Sequence, residues 1–191
     1  MNTSIHKLLL TAVTSALLTF GLATPSALQA QTKAEQVQRV QLLLNAYDRA
    51  PDAAQFKRAA TDPRSILLDI ESNPSSPEYL RLRALDALSL FPDEQVRARF
   101  RTILKDATGQ NPAPRAVHNS INGLMLGWGA ESNEELLALL AHPDIQVRLT
   151  VAVAVGRSGG ISGRNALRSH LGREKDPLVR EFIETHAPLQ K

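Results

Sequence analysis

From Val37 to Ile183, apolar residues recur three and four positions apart with charged or amide residues between them, the period of helices that bury one face. Val37, Val40, Leu43, Leu44 and Tyr47 predict an amphipathic helix over 33–49, broken by Ala50-Pro51-Asp52 and followed by a short Ala-rich segment around Phe56. Asp62-Pro63 marks another start, because Asp caps free amides and Pro suits a first helical turn, and it places Ile66, Leu67 and Ile70 inward. Ser75 and Glu78 have the spacing of a capping box and open a helix to about Leu90. Pro92-Asp93 starts its expected partner, with Val96, Phe100, Ile103 and Leu104 as the apolar stripe. After a polar connector over 106–114, Val117, Ile121, Leu124 and Met125 predict a helix ending at Gly127-Trp128-Gly129. Ser132 and Glu135 repeat the capping-box spacing before Leu136, Leu137, Leu139 and Leu140. A buried helix carrying Val151, Ala154 and Val155 follows, then a Gly-rich loop over 156–163, a helix over 164–172 with Leu167 and Leu171 inward, and a last helix over 176–186.

One stretch organises this succession. His142-Pro143-Asp144 turns the chain into Val147-Arg148, and small or apolar residues follow. Asp176-Pro177-Leu178-Val179-Arg180 repeats that opening, Arg180 lying 32 residues after Arg148; Arg115 lies 33 before Arg148 and Arg81 lies 34 before Arg115. A period in the low thirties on helical segments predicts a helical array. The acid, the Val-Arg pair and the small residues after it resemble HEAT-like repeats, the group that includes phycobilisome-lyase-type repeats, over roughly residues 63–188. His118 and Asn119 depart from the pattern, standing where small apolar residues belong. The resemblance implies an all-α fold: a short right-handed α-solenoid of about four helix pairs over 63–191, preceded by a helical region over 31–62. It implies a way of presenting surface and no particular reaction, since most such arrays are binding scaffolds.

Composition narrows the function classes. At 191 residues and 43% hydrophobic content the chain suits a single domain, and 4% aromatic content favours closely packed helices. Residues 1–30 read as a secretory signal: Lys7, an apolar stretch from Leu8 to Leu22, Pro25, and Ser-Ala-Leu-Gln-Ala ending at Ala30, after which cleavage is expected. A periplasmic or secreted protein with no transmembrane span in its mature part follows. There is no cysteine, so no disulfide or thiol chemistry is available. Without Lys7, 21 basic residues face 19 acidic ones, a net charge of about +2 that is too balanced for nucleic-acid binding.

Catalytic patterns are absent from the sequence. His118, His142, His170 and His186 are scattered, with no His-Glu-x-x-His spacing and no His-Glu pair of the kind that HEAT-like iron hydroxylases use, so no metal or cofactor is expected. The 156–163 loop lacks the Gly-Lys-Ser/Thr ending of a phosphate loop, and Ser158 and Ser162 lack a nucleophile-elbow context. Acids four residues before Arg148 and Arg180, at Asp144 and Asp176, fit helix-supporting ion pairs. Candidate partner-binding residues remain. Arg97 with Arg101, and Arg164 with Arg168, each place a basic pair on one helix face, and Trp128, the only tryptophan, suits an interface anchor. Such pairs favour an acidic peptide or an anionic envelope polymer. The expected function is a non-catalytic scaffold or adaptor for a protein or peptide. A lyase-type enzyme or accessory and a self-associating envelope component are the alternatives.

Overall fold

The computed structural model describes residues 32–46, 50–107 and 114–187. The expected signal over 1–30, Tyr47 and the Asn111-Pro112-Ala113 stretch lie outside the described residues. The described chain is all-helical, with no strand: α1 (Lys33–Leu44), α2 (Ala53–Ala59), α3 (Pro63–Ser72), α4 (Glu78–Leu88), α5 (Glu94–Ala107), α6 (Pro114–Trp128), α7 (Asn133–Leu137), α8 (Ile145–Ser158), α9 (Gly160–Leu171) and α10 (Pro177–His186). Short 3₁₀ turns over Gly129–Ser132 and Ala138–Ala141 flank α7.

Aspartates start many of these helices. Asp52, Asp62, Asp144 and Asp176 each accept a hydrogen bond from a backbone N–H of the first turn, and Asp93 does the same for Val96 ahead of α5. The two serine capping boxes do not form. The Ser75 backbone N–H donates to Asn73 and α4 opens at Pro77 without a side-chain cap, while the Ser132 hydroxyl donates to the Leu124 carbonyl and Glu135 turns to arginines instead. The expected Asp144–Arg148 and Asp176–Arg180 pairs are likewise replaced. Each aspartate is committed to its cap, so Arg148 pairs with Glu174, and Arg180 donates to the Leu171 and Glu174 carbonyls and pairs with Glu184.

Helices α4, α6, α8 and α10 pack one on the next, with α3 against α4, α5 against α6, and α9 against both α8 and α10; α1 and α2 cover the α3–α4 end. The close neighbour of α4 is therefore α3 rather than the expected α5. The apolar stripe of α5 selects α6, because Gly123 leaves room for the fully buried Phe100 ring: a Cβ at 123 would sit 2.5 Å from it. One continuous core results. Ile66, Leu67, Val96, Phe100, Ile121, Leu124, Val151, Val155, Leu167 and Ile183 are all buried in it. Losing a side chain such as Phe100 from a core of this kind costs about 3–5 kcal/mol.

The expected 156–163 loop is instead a tight corner. α8 runs through Ser158 and α9 begins at Gly160, whose φ of +66° is the left-handed conformation that glycine tolerates. Asn133 closes the corner from α7, its amide donating to the Gly159 carbonyl at 2.8 Å and to the Ser162 hydroxyl. A side chain at Gly159 or Gly163 would collide with Val155 or Asn133, which explains the glycines without an anion.

Candidate functional site

Three of the five candidate residues meet between α5 and α7. One Glu135 oxygen accepts from Arg97 Nη2 and from Arg101 Nη2, both at 2.6 Å, and from Arg97 Nε at 3.1 Å. Arg97 also donates to the Glu131 carbonyl, and its guanidinium lies 5.6 Å from the centre of the Trp128 ring, a cation–π distance. Trp128 meets Phe100 edge to face at 6.3 Å and is half-buried. Arg101 pairs in addition with Glu94. Burial pushes the Glu135 carboxyl up, but the hydrogen bonds from Arg101 and Arg97 outweigh it and hold it below its ordinary range. This cluster fastens α5 to the segment after α6, and its charges face one another. Arg164 and Arg168 stand on α9 outside it, Arg168 bonded to Asn165.

A second charged group ties the opposite end together. Glu174, its side chain 2% exposed, receives Arg148 through two nitrogens at 3.0 and 3.1 Å and the backbone N–H groups of Lys175 and Asp176. His170 approaches the same carboxylate at 3.4 Å. Burial alone would raise this carboxyl, yet the Arg148 and Asp176 hydrogen bonds bring it down to about 2.

The surface across α4, α6 and α8 is built differently. Asp86 on α4 and Ser89 just after it, residues 119, 122 and 126 on α6, and 153 and 157 on α8 line a crevice of about 450 Å³. Asp86 and Ser89 come from α4 and its C-terminal end, Asn119 and Asn122 from α6 in the middle, and Val153 and Arg157 from α8, which packs on α6 as α4 does. Asn119 donates to the Leu82 carbonyl. Asn122 and Arg157 are exposed and have no hydrogen-bond or ion-pair partner among the described residues. Leu126, 76% exposed, adds an apolar patch. Asp86 also borders a neighbouring pocket of about 440 Å³ reaching Leu44 and Phe56. Enclosure by these walls raises the Asp86 carboxyl to about 6, against a smaller opposing pull from Arg83. Water still reaches the residue, so only a fraction of that shift acts on stability.

Of these crevice residues the sequence pattern marks only Asn119, as a departure from the repeat with no role attached, although a signal for the others exists. Asn119 and Asn122 are polar residues three apart on one side of the helix carrying Val117, Ile121 and Leu124, and Leu126 is an apolar residue off the buried stripe. Among the described residues no group of three His, Asp or Glu side chains could hold a metal ion, and no helix is long and apolar enough to cross a membrane. Compared with known proteins, the chain matches no family model, no curated protein and no solved structure.

Proposed function

We propose that this chain is an exported, non-catalytic adaptor: a short right-handed stack of HEAT-like helix pairs that offers the α4–α6–α8 face to a protein segment. The observation that carries the proposal is the crevice itself, a groove crossing three helices packed side by side, α4, α6 and α8, and lined by the unpaired side chains of Asn122 and Arg157. Grooves of this kind suit a polypeptide, which brings its own donors, acceptors and side chains. Equivalent positions 32 residues apart support the repeat. Asp144 and Asp176 each cap the N–H two residues on, and Arg148 and Arg180 each donate to a carbonyl six residues before them, at His142 and Glu174. The paired state of Arg97 and Arg101 favours the crevice over the α5 face as the binding surface.

A photo-crosslinking amino acid placed at 126 in cells should yield a discrete adduct with another protein, while one at the exposed Thr102 of α5 should not. Adducts from 128 or 164 but not 126 would move the contact to the surface marked by Trp128 and Arg164. Substrate turnover by the purified chain would end the non-catalytic assignment. Export has its own readout: the intact mass of chain recovered from the cell envelope should correspond to a start at Gln31.

A further inference from the structure

We infer that the α4–α6–α8 crevice takes an extended peptide carrying a basic residue against Asp86 and an acidic residue against Arg157, about five or six residues apart. This rests on the adaptor role proposed above and specifies its partner. The charges come first. Asp86 and Arg157 line one crevice from α4 and α8, the helices packed on either side of α6; Arg157 has no partner among the described residues, and the Asp86 carboxylate has no hydrogen bond, only the Coulombic pull of Arg83 from its own helix. Glu135 and Glu174, by contrast, are each held by arginines of a neighbouring helix. An acid and a base held apart in one groove complement a ligand whose charges run in the opposite order.

The α6 lining argues for an extended backbone. An amide side chain offers a donor and an acceptor, the same two groups that a peptide unit needs, and a chain already in a helix has no free units to give. Asn122 has both groups unbonded, and Asn119, three residues before it, uses one amide hydrogen on Leu82. Leu126, one turn further on the same face, provides apolar contact for an intervening side chain. The span sets the spacing. Packed helix axes run about 8–10 Å apart, so the path from α4 over α6 to α8 is about 16–20 Å. An extended chain covers about 3.3–3.6 Å per residue, hence about five or six residues between the two charges.

The test is selection of random displayed peptides on the immobilised full chain, repeated with Asp86→Arg and Arg157→Glu. Both positions are at the surface of the crevice, and circular dichroism checks that the variants fold. The expected result is enrichment of sequences with a Lys or Arg and an Asp or Glu about five residues apart. Asp86→Arg should replace the selected base by an acid, and Arg157→Glu should do the reverse. For one selected peptide, either substitution should weaken binding roughly fivefold, the scale of a solvent-accessible ion pair. Enriched peptides that lack the charge pair, or whose pattern survives both substitutions, would overturn the inference. If those peptides still block the crosslink from 126, the adaptor role stands without it. Amphipathic helical sequences would also overturn it, in favour of a helix in the groove. No enrichment over bare support, with both variants and parent folded, would sink this partner and the adaptor role together.

Discussion

The α5–α7 cluster and the α4–α6–α8 crevice both present charge at the surface, but only one of them has used it. Arg97 and Arg101 converge on Glu135, and Arg97 covers Trp128, so a conspicuously basic stretch closes on itself. Asp86 and Arg157 share a crevice and leave their charges facing solvent. What separates structural charge from charge available for binding is therefore the partner across the helix boundary, which residue type and spacing along one helix do not reveal. Glu174 belongs with the cluster and is its most buried counterpart.

That contrast is tested most severely at Glu174. Glu174→Ala takes from Arg148 its ion-pair partner in a largely buried pair, leaving only the weaker Coulombic influence of Asp176 and Asp144, and strips acceptors from two backbone amides, so a loss of about 3–5 kcal/mol is expected in urea unfolding. A loss below about 1 kcal/mol would show that this ion pair is not holding the end of the molecule, as exposed pairs do not. Acid should reveal the same group. Its carboxyl is depressed in the folded chain to about 2, so the stability it confers is complete above its ordinary value of 4.5 and is lost as pH falls from there through about 2. Because the side chain is 2% exposed, that loss should amount to about 3 kcal/mol, and Glu174→Ala should flatten the pH dependence of unfolding in this window.

At Glu135 the effect should be smaller. Glu135→Ala frees both arginines, but Arg101 is 44% exposed and keeps Glu94, so about 1–2 kcal/mol is expected, mostly through Arg97 and Trp128. Tryptophan fluorescence should shift to the red as Arg97 leaves the ring. Peptide capture at the crevice should be unchanged; a parallel loss would mean that the two regions are one site.

The helices and their inward faces were legible because burial imposes a period on each segment separately. Ile66, Leu67 and Ile70, then Val117, Ile121 and Leu124, are buried as their spacing predicts. Spacing also suggested the capping boxes at Ser75 and Ser132 and the four-apart pairs at Arg148 and Arg180, and there it misled. Long side chains on helices packed side by side reach a neighbour as easily as their own next turn: Arg148 finds Glu174 across 26 residues and Arg97 finds Glu135 across 38. The 156–163 glycines looked like a loop for a related reason, since part of what Gly159 and Gly163 make room for, the Asn133 side chain, is distant in sequence. The crevice was illegible on the same ground. Its residues come from three helices, and only packing reveals that Asp86, Asn122 and Arg157 share a surface.

The smallest expected effect on stability is the most informative about that surface. Asp86→Asn keeps the shape of the side chain and removes its charge. In the folded chain this carboxyl titrates near 6, above its ordinary 3.8, so the fold is weakened as pH rises from 3.8 through 6 and the ionised group is held at some cost. The substitution should therefore leave stability at pH 7 unchanged or slightly higher, within about 0.5 kcal/mol for a solvent-reached group. Unfolding compared at pH 4 and pH 7 reads the sign, because the parent should lose the small difference that the variant keeps. A destabilisation of 1 kcal/mol or more at pH 7 would place Asp86 with Glu135 and Glu174 as a structural acid. Unchanged stability together with loss of the selected peptides would mark it as a charge retained for a partner, since nothing in the fold then depends on it.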